Sequence, residues 1–525
     1  MRTKLFLLLI MVCAVAKAQT VEVSGAQSGV WDADTIRITG NVKIVDSLLI
    51  APGTTVLFDK FYSIMVADGS SLKAKGTPED SIVFTFADTT GFHIYNSDSG
   101  GWNGFQFMKA GKVVMDYCLL QYGKAADTLD RFGGAMCFYE CADVEINHTT
   151  LRCNFSREFG GAIFARGSNM KFSDCQINEN KVYTYDGTNA LYGAGACFQQ
   201  CDVEMERMQF RVNYGPYCFG GALSLDSCSF RIDRGTFINN IGLNGGGLYL
   251  MRSHEKECLL SNLLFDGNFS GHFGGGFALL DSSPLIYNVL VTNNQSEGVS
   301  CNGVFFYGHS SPVLDNCIVF GNYPSASGSV MDTTQMWAWT MDGFAPEFHN
   351  CLVEGGLKHI HNGDLISVFE NVIDTDPLFV DAEHHDFRLS EGSPCRDAGN
   401  EKTPSFITHG LDLAGMPRLI NDRIDMGPYE YSGASVQHNQ IVSFFAKLVG
   451  NPLNGQSRVE LNLDKTGDAV VIVYSMSGNR VASKTIHIEG SNSMEIGDLV
   501  DRLAPGLYLI EVAVDGKVCT LKAVK

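Results

Sequence analysis

Four residues capable of acid–base or electrostatic chemistry recur at one position of a repeating pattern. His148, Asp174, Arg207 and Arg234 each stand six residues before an asparagine that returns along the chain. Eliminative cleavage of a polysaccharide needs a positioned Arg or Lys as base, often with calcium held by acidic side chains. A short basic strip would also suit an acidic sugar. The alternative interpretation is that all four are solvated residues in turns.

A second group of candidates suits ligand binding. The stretch from Val182 to Tyr192 lengthens one repeat by about six residues, and loops that elaborate a regular scaffold often carry function. Its candidate ligand-binding residues are Tyr183, Tyr185, Asp186 and Tyr192.

An aromatic residue precedes a glycine pair in five copies of the repeat. These residues are Phe132, Phe159, Tyr192, Phe219 and Phe273. We expect the rings to lie inside the fold, where they would stack and fill its core. The alternative is an external platform, because flat rings suit the faces of pyranose sugars.

The repeat that positions these residues consists of two short phrases. The first is the glycine phrase, which begins at residues 133, 160, 193, 220, 245 and 274, with a decayed copy at 302–304. The second ends in Asn154, Asn180, Asn213, Asn240, Asn268, Asn294 and Asn322, spaced 26 to 33 residues apart. Apolar residues alternate after each glycine phrase, which indicates half-buried strands, and no helical period is present. A period of this length without helices predicts a parallel β-helix.

Two columns of the repeat predict contacts. The asparagines are expected to hydrogen-bond to their equivalents one coil away. Four residues before each asparagine, the column reads Thr150, Gln176, Gln209, Thr236, Leu264, Leu290, Ile318 and Leu352. This column should face outward, so its change from polar to apolar predicts that part of segment 365–431 covers the later coils.

The pairing of Gly-Gly-Ala with Phe-x-x-Asn, as in Phe210 to Asn213, resembles the repeats of polymorphic outer-membrane proteins and the right-handed, pectin-lyase-like β-helices. This resemblance implies a fold and leaves the activity open, because the fold hosts lyases, hydrolases, adhesins and inert stalks. Beyond its first 18 residues, the chain contains no Asp-Asp pair, Gly-His-Gly or Arg-x-Lys, which the hydrolases of that superfamily use. No cofactor is expected, although calcium stays open as a partner of the lyase alternative.

The two ends of the chain predict export. Residues 1–18 read as a signal peptide cleaved between Ala18 and Gln19, and no later segment is apolar enough to span a membrane. Residues 376–431 resemble the choice-of-anchor Q segment. The last 80 residues read as about seven short strands and resemble the type A sorting domain of type IX secretion. The residues that carry this resemblance are Asn451, Pro452, Gly478, Gly506, Tyr508, Lys522 and Lys525. It implies a Bacteroidota-type cell, passage through the periplasm and outer membrane, and the type IX machinery as partner.

The expected fold class is all-β: a right-handed parallel β-helix followed by a small C-terminal β-sandwich. The expected domains are a signal peptide (1–18), N-terminal coils (19–125), repeat coils (126–360), a terminal cap (361–432), a linker (433–445) and the sorting domain (446–525).

The composition of the chain restricts the partners and functions that can be expected. The net charge of −20 makes nucleic acid an unexpected partner. Sixteen cysteines, of which Cys13 leaves with the signal peptide, allow disulfides after export, although their columns favour buried packing; a Cys201–Cys228 bridge stays open. We predict a non-catalytic surface protein that acts as an adhesin, glycan-binding protein or envelope component. A polysaccharide lyase or hydrolase and a purely structural spacer are the alternatives.

Overall fold

The computed structural model describes most of the chain after residue 18. The described ranges are 19–94, 97–126, 132–183, 191–253, 257–297, 301–323, 334–420, 422–433, 446–449, 453–461, 467–475, 480–488, 493–505, 507–514 and 517–525. Their regular structure is nearly all β-strand, as expected from the alternating apolar positions.

Three parallel sheets run the length of a β-helix, and each coil adds one strand to each sheet. Sheet 1 consists of Ile64–Val66, Phe105–Met108, Met136–Tyr139, Ile163–Arg166, Ala196–Gln199, Leu223–Asp226, Leu248–Met251, Phe277–Leu280, Val304–Gly308, Met336–Thr340 and Ile360–His361. Sheet 2 consists of Ser71–Lys75, Lys112–Asp116, Asp143–Asn147, Asn169–Ser173, Asp202–Glu206, Leu285–Tyr287, Val313–Asp315, Glu347–His349 and Val368–Glu370. Sheet 3 consists of Thr55–Phe58, Ile82–Phe86, Cys118–Gln121, Thr150–Arg152, Gln176–Asn178, Gln209–Arg211, Leu290–Thr292, Ile318–Val319 and Leu352–Val353.

Longer and shorter strands complete the coils. Ser229–Ile238 and Cys258–Asp266 each pass from sheet 2 into sheet 3. Thr20–Trp31 and Thr35–Ile50 form the first coils. Short parallel strands line the remaining side: Lys124–Ala125, Phe155–Ser156, Lys181–Val182, Leu191–Tyr192, Cys218–Phe219, Ile241–Asn244, Phe269–Phe273 and Gln295–Ser296.

The interior of the helix is one continuous apolar core from Val23 to Ile360. The phenylalanines of the Phe-x-x-Asn phrase stack in it from coil to coil. The ring centroids of Phe210 and Phe237 are 4.8 Å apart, and those of Phe237 and Phe265 are 4.6 Å apart. Near-identical coils therefore bring identical side chains into contact along the axis.

The asparagine column forms the predicted ladder. The Nδ2 of Asn154 donates to the Oδ1 of Asn180 (3.0 Å), and the same bond continues through Asn213, Asn240, Asn268 and Asn294 to Asn322. Each of these side chains is fully buried. The column thus has a structural role, since buried amides must be hydrogen-bonded.

A second internal ladder explains part of the cysteine content. At the turn between sheets 1 and 2, the N–H of Cys141 donates to Ser168 Oγ, that of Ser168 to Cys201 Sγ, and that of Cys201 to Cys228 Sγ. None of the fourteen cysteines from Cys118 to Cys395 forms a disulfide, and thirteen of them are buried, so the Cys201–Cys228 bridge is not formed. Burial raises the pKa of the Cys175 thiol to about 12.

The glycine phrase makes the turn into sheet 1. Its first glycine has a positive φ at every intact copy, for example 62° at Gly133 and 66° at Gly274. Later positions pack against the next coil: a Cβ on Gly195 would lie 2.5 Å from the carbonyl oxygen of Ala222. Glycine is therefore required for both conformation and space.

The predicted cover over the apolar outer column is confirmed. Residues of segment 365–431, called the covering segment below, pack on this outer column. One apolar cluster contains Leu264, Leu290, Ile318 and Leu352 of the column and Phe387, Leu389, Cys395 and Met426 of the covering segment. Leu290 and Ile318 are fully buried. The covering segment contains the antiparallel pair Phe379–Asp381 and Asp386–Leu389, the helix Ser405–Thr408, and the 3₁₀ turn Ala382–His384; further 3₁₀ turns at Gly356–His359 and Gly363–Leu365 precede it.

Polar contacts fix this cover in place. The buried Arg418 guanidinium pairs with Glu430 (2.8 Å) and donates to the carbonyl oxygens of Asp425 and Gly427. Asn288 Nδ2 donates to the same two carbonyls from the β-helix. The Arg418–Glu430 pair therefore holds the carbonyls of Asp425 and Gly427 where they accept hydrogen bonds from Asn288 of the β-helix.

The C-terminal region forms two antiparallel sheets, as the sequence predicts. One consists of Ala446–Val449, Arg458–Leu461 and Ser493–Glu495; the other consists of Gly467–Ser475, Arg480–Ile488, Leu507–Val514 and Lys517–Val524. A short helix, Gly497–Val500, follows Ser493–Glu495. Val459, Val471 and Ile510 meet in a shared core, so the two sheets pack as a small sandwich.

Candidate functional site

A groove lies on the outer face of sheet 2. Its volume is about 770 Å³. Its floor is a single column of outward side chains from five successive coils: Lys171, Glu204, Arg231, Leu259 and Leu285. Four steps of about 4.8 Å give this floor a length of about 19 Å. The groove is therefore long enough for several sugar residues.

The covering segment supplies one wall of the groove. Phe406, in the helix Ser405–Thr408, is 48 % exposed and lines the cavity. Its ring centroid is 5.8 Å from the Arg231 guanidinium carbon and 6.4 Å from the Tyr287 ring. The groove thus combines an aromatic wall with a cationic group.

The covering segment is anchored next to this wall. Asn400 donates to the Oδ2 of Asp315 and Thr403 Oγ1 accepts from Asn316 Nδ2. Burial raises the pKa of Asp315 to about 6. These bonds place the helix Ser405–Thr408 only a few residues further along the chain.

The charged side chains on the floor of the groove differ in whether they form ion pairs. Lys171 and Glu204 form an ion pair at 3.0 Å. Arg231 makes no ion pair with any residue that the structure describes. A second cavity of about 440 Å³ shares these three residues and extends toward Glu206 and Asp233. Arg231 is therefore the cation that a ligand can engage.

The structure brings the four predicted catalytic candidates together, at the turn between sheets 2 and 3. His148, Asp174, Arg207 and Arg234 occupy successive coils, with φ between 43° and 57°. Asp174 is 2.6 Å from Arg207 and 3.7 Å from His148. Glu206 joins Arg207 to Arg234.

Within this ion-pair ladder, Asp174 and Arg207 stabilise each other's charged form. The hydrogen bond from Arg207 lowers the pKa of Asp174, and the same bond raises the pKa of Arg207. Burial lowers the pKa of Arg234, although acidic neighbours oppose this effect. The catalytic role of these residues stays a prediction, and their mutual pairing does not favour it.

Two of the predicted ligand-binding residues lie apart. Tyr183 packs with Ala126 and Phe155, whereas Tyr192 joins a row of rings on the outside of sheet 1. Tyr185 and Asp186 lie outside the described residues. The structure therefore places Tyr183 and Tyr192 in two separate clusters.

Part of the predicted sorting motif is described. The Tyr508 hydroxyl donates to the Ala504 carbonyl (2.7 Å), Lys525 is 3.9 Å from Asp501, and Lys522 lies in the last strand. The remaining predicted residues lie outside the described part of the chain: Asn451, Pro452, Gly478, Gly506, the signal peptide through Ala18, and residues 434–445 of the linker. Gln19, on the other side of the predicted cleavage site, is the first described residue.

Comparisons with known families match both parts of this architecture. A family model described as a right handed beta helix region matches residues 83–286. One described as a secretion system C-terminal sorting domain matches residues 450–525. The chain carries a right-handed β-helix and a type IX sorting domain. No curated protein matches it.

The sorting domain makes this a secreted β-helix protein that attaches at the cell surface through the type IX machinery. Within the described part of the chain, no helix has the length and apolar character of a membrane span. The described residues also contain no cluster of three or more His, Cys, Asp or Glu side chains suited to a metal ion.

The aromatic column of the β-helix lies outside the core, so its predicted interior position is wrong. Phe132, Phe159 and Tyr192 pack with Cys137 and other outward residues of sheet 1, in a cluster separate from the main core. The left-handed glycine that follows each ring breaks the period-two alternation. Counting back from the inward strand positions therefore gives the wrong face.

The groove was not predicted from the sequence. Glu204 and Arg231 are outward strand residues with opposite charges on adjacent coils, a pattern typical of a solvated face. Phe406 belongs to no repeat, and nothing in the sequence indicates which coil it meets.

Proposed function

We propose that this protein displays a glycan-binding β-helix at the bacterial surface, and that the groove over sheet 2 binds an oligosaccharide without cleaving it. The observation that supports this proposal is the pairing of Phe406 with Arg231 above a floor that changes from charged to apolar. A pyranose ring has an apolar face and a polar rim, so it matches a concave site with few polar groups among apolar ones.

The charge of the chain favours a neutral or weakly acidic glycan. The net charge is −20, which repels polyanions. In the groove, Lys171 is already neutralised by Glu204, which leaves Arg231 for at most an isolated acidic group or for hydroxyls. A ligand of several residues fits better than a monosaccharide because the floor extends over five coils.

Export follows from both ends of the chain in this proposal. The signal peptide, residues 1–18, directs the chain to the periplasm, and the sorting domain directs it through the outer membrane of a Bacteroidota-type cell. There the β-helix acts as an adhesin or envelope component. A purely structural spacer would not need a groove with an aromatic wall.

The test is binding of the exported protein to a polysaccharide panel, with Phe406→Ala and Arg231→Gln as variants. Each should weaken binding at least about tenfold, because single anchor residues commonly contribute about 1.4 kcal/mol or more. Leu419→Ala is the matched control for Phe406, since Leu419 is exposed on the same segment. Lys73→Gln controls for Arg231, because Lys73 lies in the same outward column near the N-terminal end.

Two results would contradict the proposal. Unchanged binding in both groove variants would exclude the groove as the site. The release of new reducing or unsaturated ends from any polysaccharide would show catalysis and would favour the lyase or hydrolase alternative.

A further inference from the structure

The row of external rings on sheet 1 ends in an exposed aromatic corner. Tyr307 and Trp339 are 37 % and 51 % exposed, and Met341 beside them is 51 % exposed. Tyr307 pairs directly with Trp339 across adjacent strands. Their ring centroids are 5.7 Å apart and the rings stand at 81° to each other. Because the two exposed rings are perpendicular, they do not stack face to face on each other.

The remaining rings of the row hold this corner in place. Trp337 lies 5.5 Å from Trp339 at 11°, and it packs against Phe273 and His361. Phe305 lies 5.9 Å from Tyr307 and 4.7 Å from Phe273. The exposed rings are therefore supported on strands by a second row of rings, and a ligand would find them already oriented.

Polar groups border the corner. The Asp281 carboxylate accepts from the His309 backbone N–H (2.8 Å) and lies 2.9 Å from the ring Nδ1 of the same residue. The N–H of Asp281 donates to the Tyr307 carbonyl, which places this pair next to the ring. Hydrogen-bonding side chains thus lie beside an apolar surface.

We propose that Tyr307 and Trp339 form a second carbohydrate-binding platform, on which the apolar face of a pyranose ring stacks. The chemistry of the corner favours a sugar over other partners. An anionic lipid surface would need a cluster of basic residues, whereas the Asp281 carboxylate borders the corner and the chain as a whole is acidic. A second copy of the chain would need about 800 Å² per partner, more than three exposed side chains provide.

The platform lies on sheet 1 and the groove on sheet 2, so the two sites face different directions. Together they would let one molecule bind two glycan segments, which would raise the avidity for a polymer. Only this bivalent consequence depends on the proposed function of the groove; stacking at the platform does not.

The test measures retention of the exported protein on cellulose, chitin, xylan and mannan. Trp339→Ala should lose at least tenfold in affinity for one or more of them, and Trp339→Phe should retain most of the binding because it keeps a flat ring. Tyr217→Ala is the control, since Tyr217 is 57 % exposed and lies outside the row. Thermal unfolding of each variant checks that the fold is intact, and Tyr307→Ala gives a second measurement of the platform.

The outcomes separate the two sites. Loss in Trp339→Ala with no loss in Phe406→Ala supports the platform and contradicts the groove, and the converse contradicts the platform. Additive losses support both sites. Binding of the wild type, but not of Trp339→Ala, to phosphatidylglycerol vesicles would overturn the sugar assignment in favour of a membrane contact.

Discussion

Replacing Asn240 by alanine should destabilise the central coils far more than its size suggests. The Oδ1 of Asn240 accepts from the backbone N–H of Asn213 (3.0 Å) and from its Nδ2 (2.9 Å). The Nδ2 of Asn240 donates to the Phe210 carbonyl (3.0 Å) and to Asn268 Oδ1 (2.9 Å). Alanine removes all four bonds from a site with no access to solvent.

The cost can be worked out from the partners left behind. Asn268 Oδ1 keeps the bond from the backbone N–H of residue 240, and Asn213 Nδ2 keeps its bond to Ile177. The backbone N–H and one Nδ2 hydrogen of Asn213 donate to Asn240 in the wild type, and they have no other acceptor among these bonds. Each buried donor left unsatisfied costs about 1–3 kcal/mol, so the loss is roughly 2–6 kcal/mol, with about 4 as the central value.

Hydrogen exchange is the appropriate assay, because a repeat fold couples mainly neighbouring coils and opens locally. The backbone amides at positions 213, 240 and 268 should exchange much faster in the variant, while those of the first coils should not change. Gln209→Ala is the control: this exposed side chain lies at an outward position of the strand Gln209–Arg211, and its loss should change stability by less than about 0.5 kcal/mol. Loss of less than about 1 kcal/mol in Asn240→Ala, or equal effects in the two variants, would refute the ladder as a stabilising element.

Two further predictions concern the covering segment. Arg418→Met leaves the buried Glu430 carboxylate without its partner and should destabilise the segment by about 3–5 kcal/mol, measured by amide exchange across 395–431, with Arg388→Met as an exposed control. The hydrogen bond to Asp266 raises the pKa of His385 above its ordinary 6.5. A raised histidine pKa adds stability that is complete below pH 6.5 and is lost as the pH rises through the folded-state value. Exchange protection near Asp386–Leu389 should therefore fall as the pH rises, and a variant with His385→Gln should not show this fall; an unchanged pH profile in that variant would contradict the assignment.

The sequence predicted those features that depend on comparing one coil with the next. Equivalent residues of a β-helix lie above each other, so a buried asparagine must bond to its equivalent, and Asn154 to Asn322 do so. The same comparison showed that Thr236 and Leu264 share an outward position. Because an apolar outward column has to be shielded from water, the contact with segment 365–431 could be predicted.

Two features could not be predicted, for different physical reasons. The face on which Phe132 and Phe159 lie depends on the left-handed glycine after each of them, and the alternation of a strand cannot be counted through such a residue. The position of Phe406 depends on how a segment without a repeat folds back over the coils. That contact spans 175 residues from Arg231, and no periodicity connects the two.

The repeat constrains the inside of the β-helix far more than the outside, and this difference indicates where binding is to be expected. Inward positions and turns are occupied by stacked phenylalanines, bonded amides and glycines that no larger residue can replace. Outward positions of sheets 1 and 2 carry no such requirement. On sheet 1 they are occupied by rings that an isolated solenoid does not need for stability, and on sheet 2 by a mixed column beneath Phe406. Aromatic side chains held at the surface by a rigid scaffold are better explained by recognition than by folding. Mutations of these side chains should therefore weaken binding and leave the internal hydrogen-bond ladders intact.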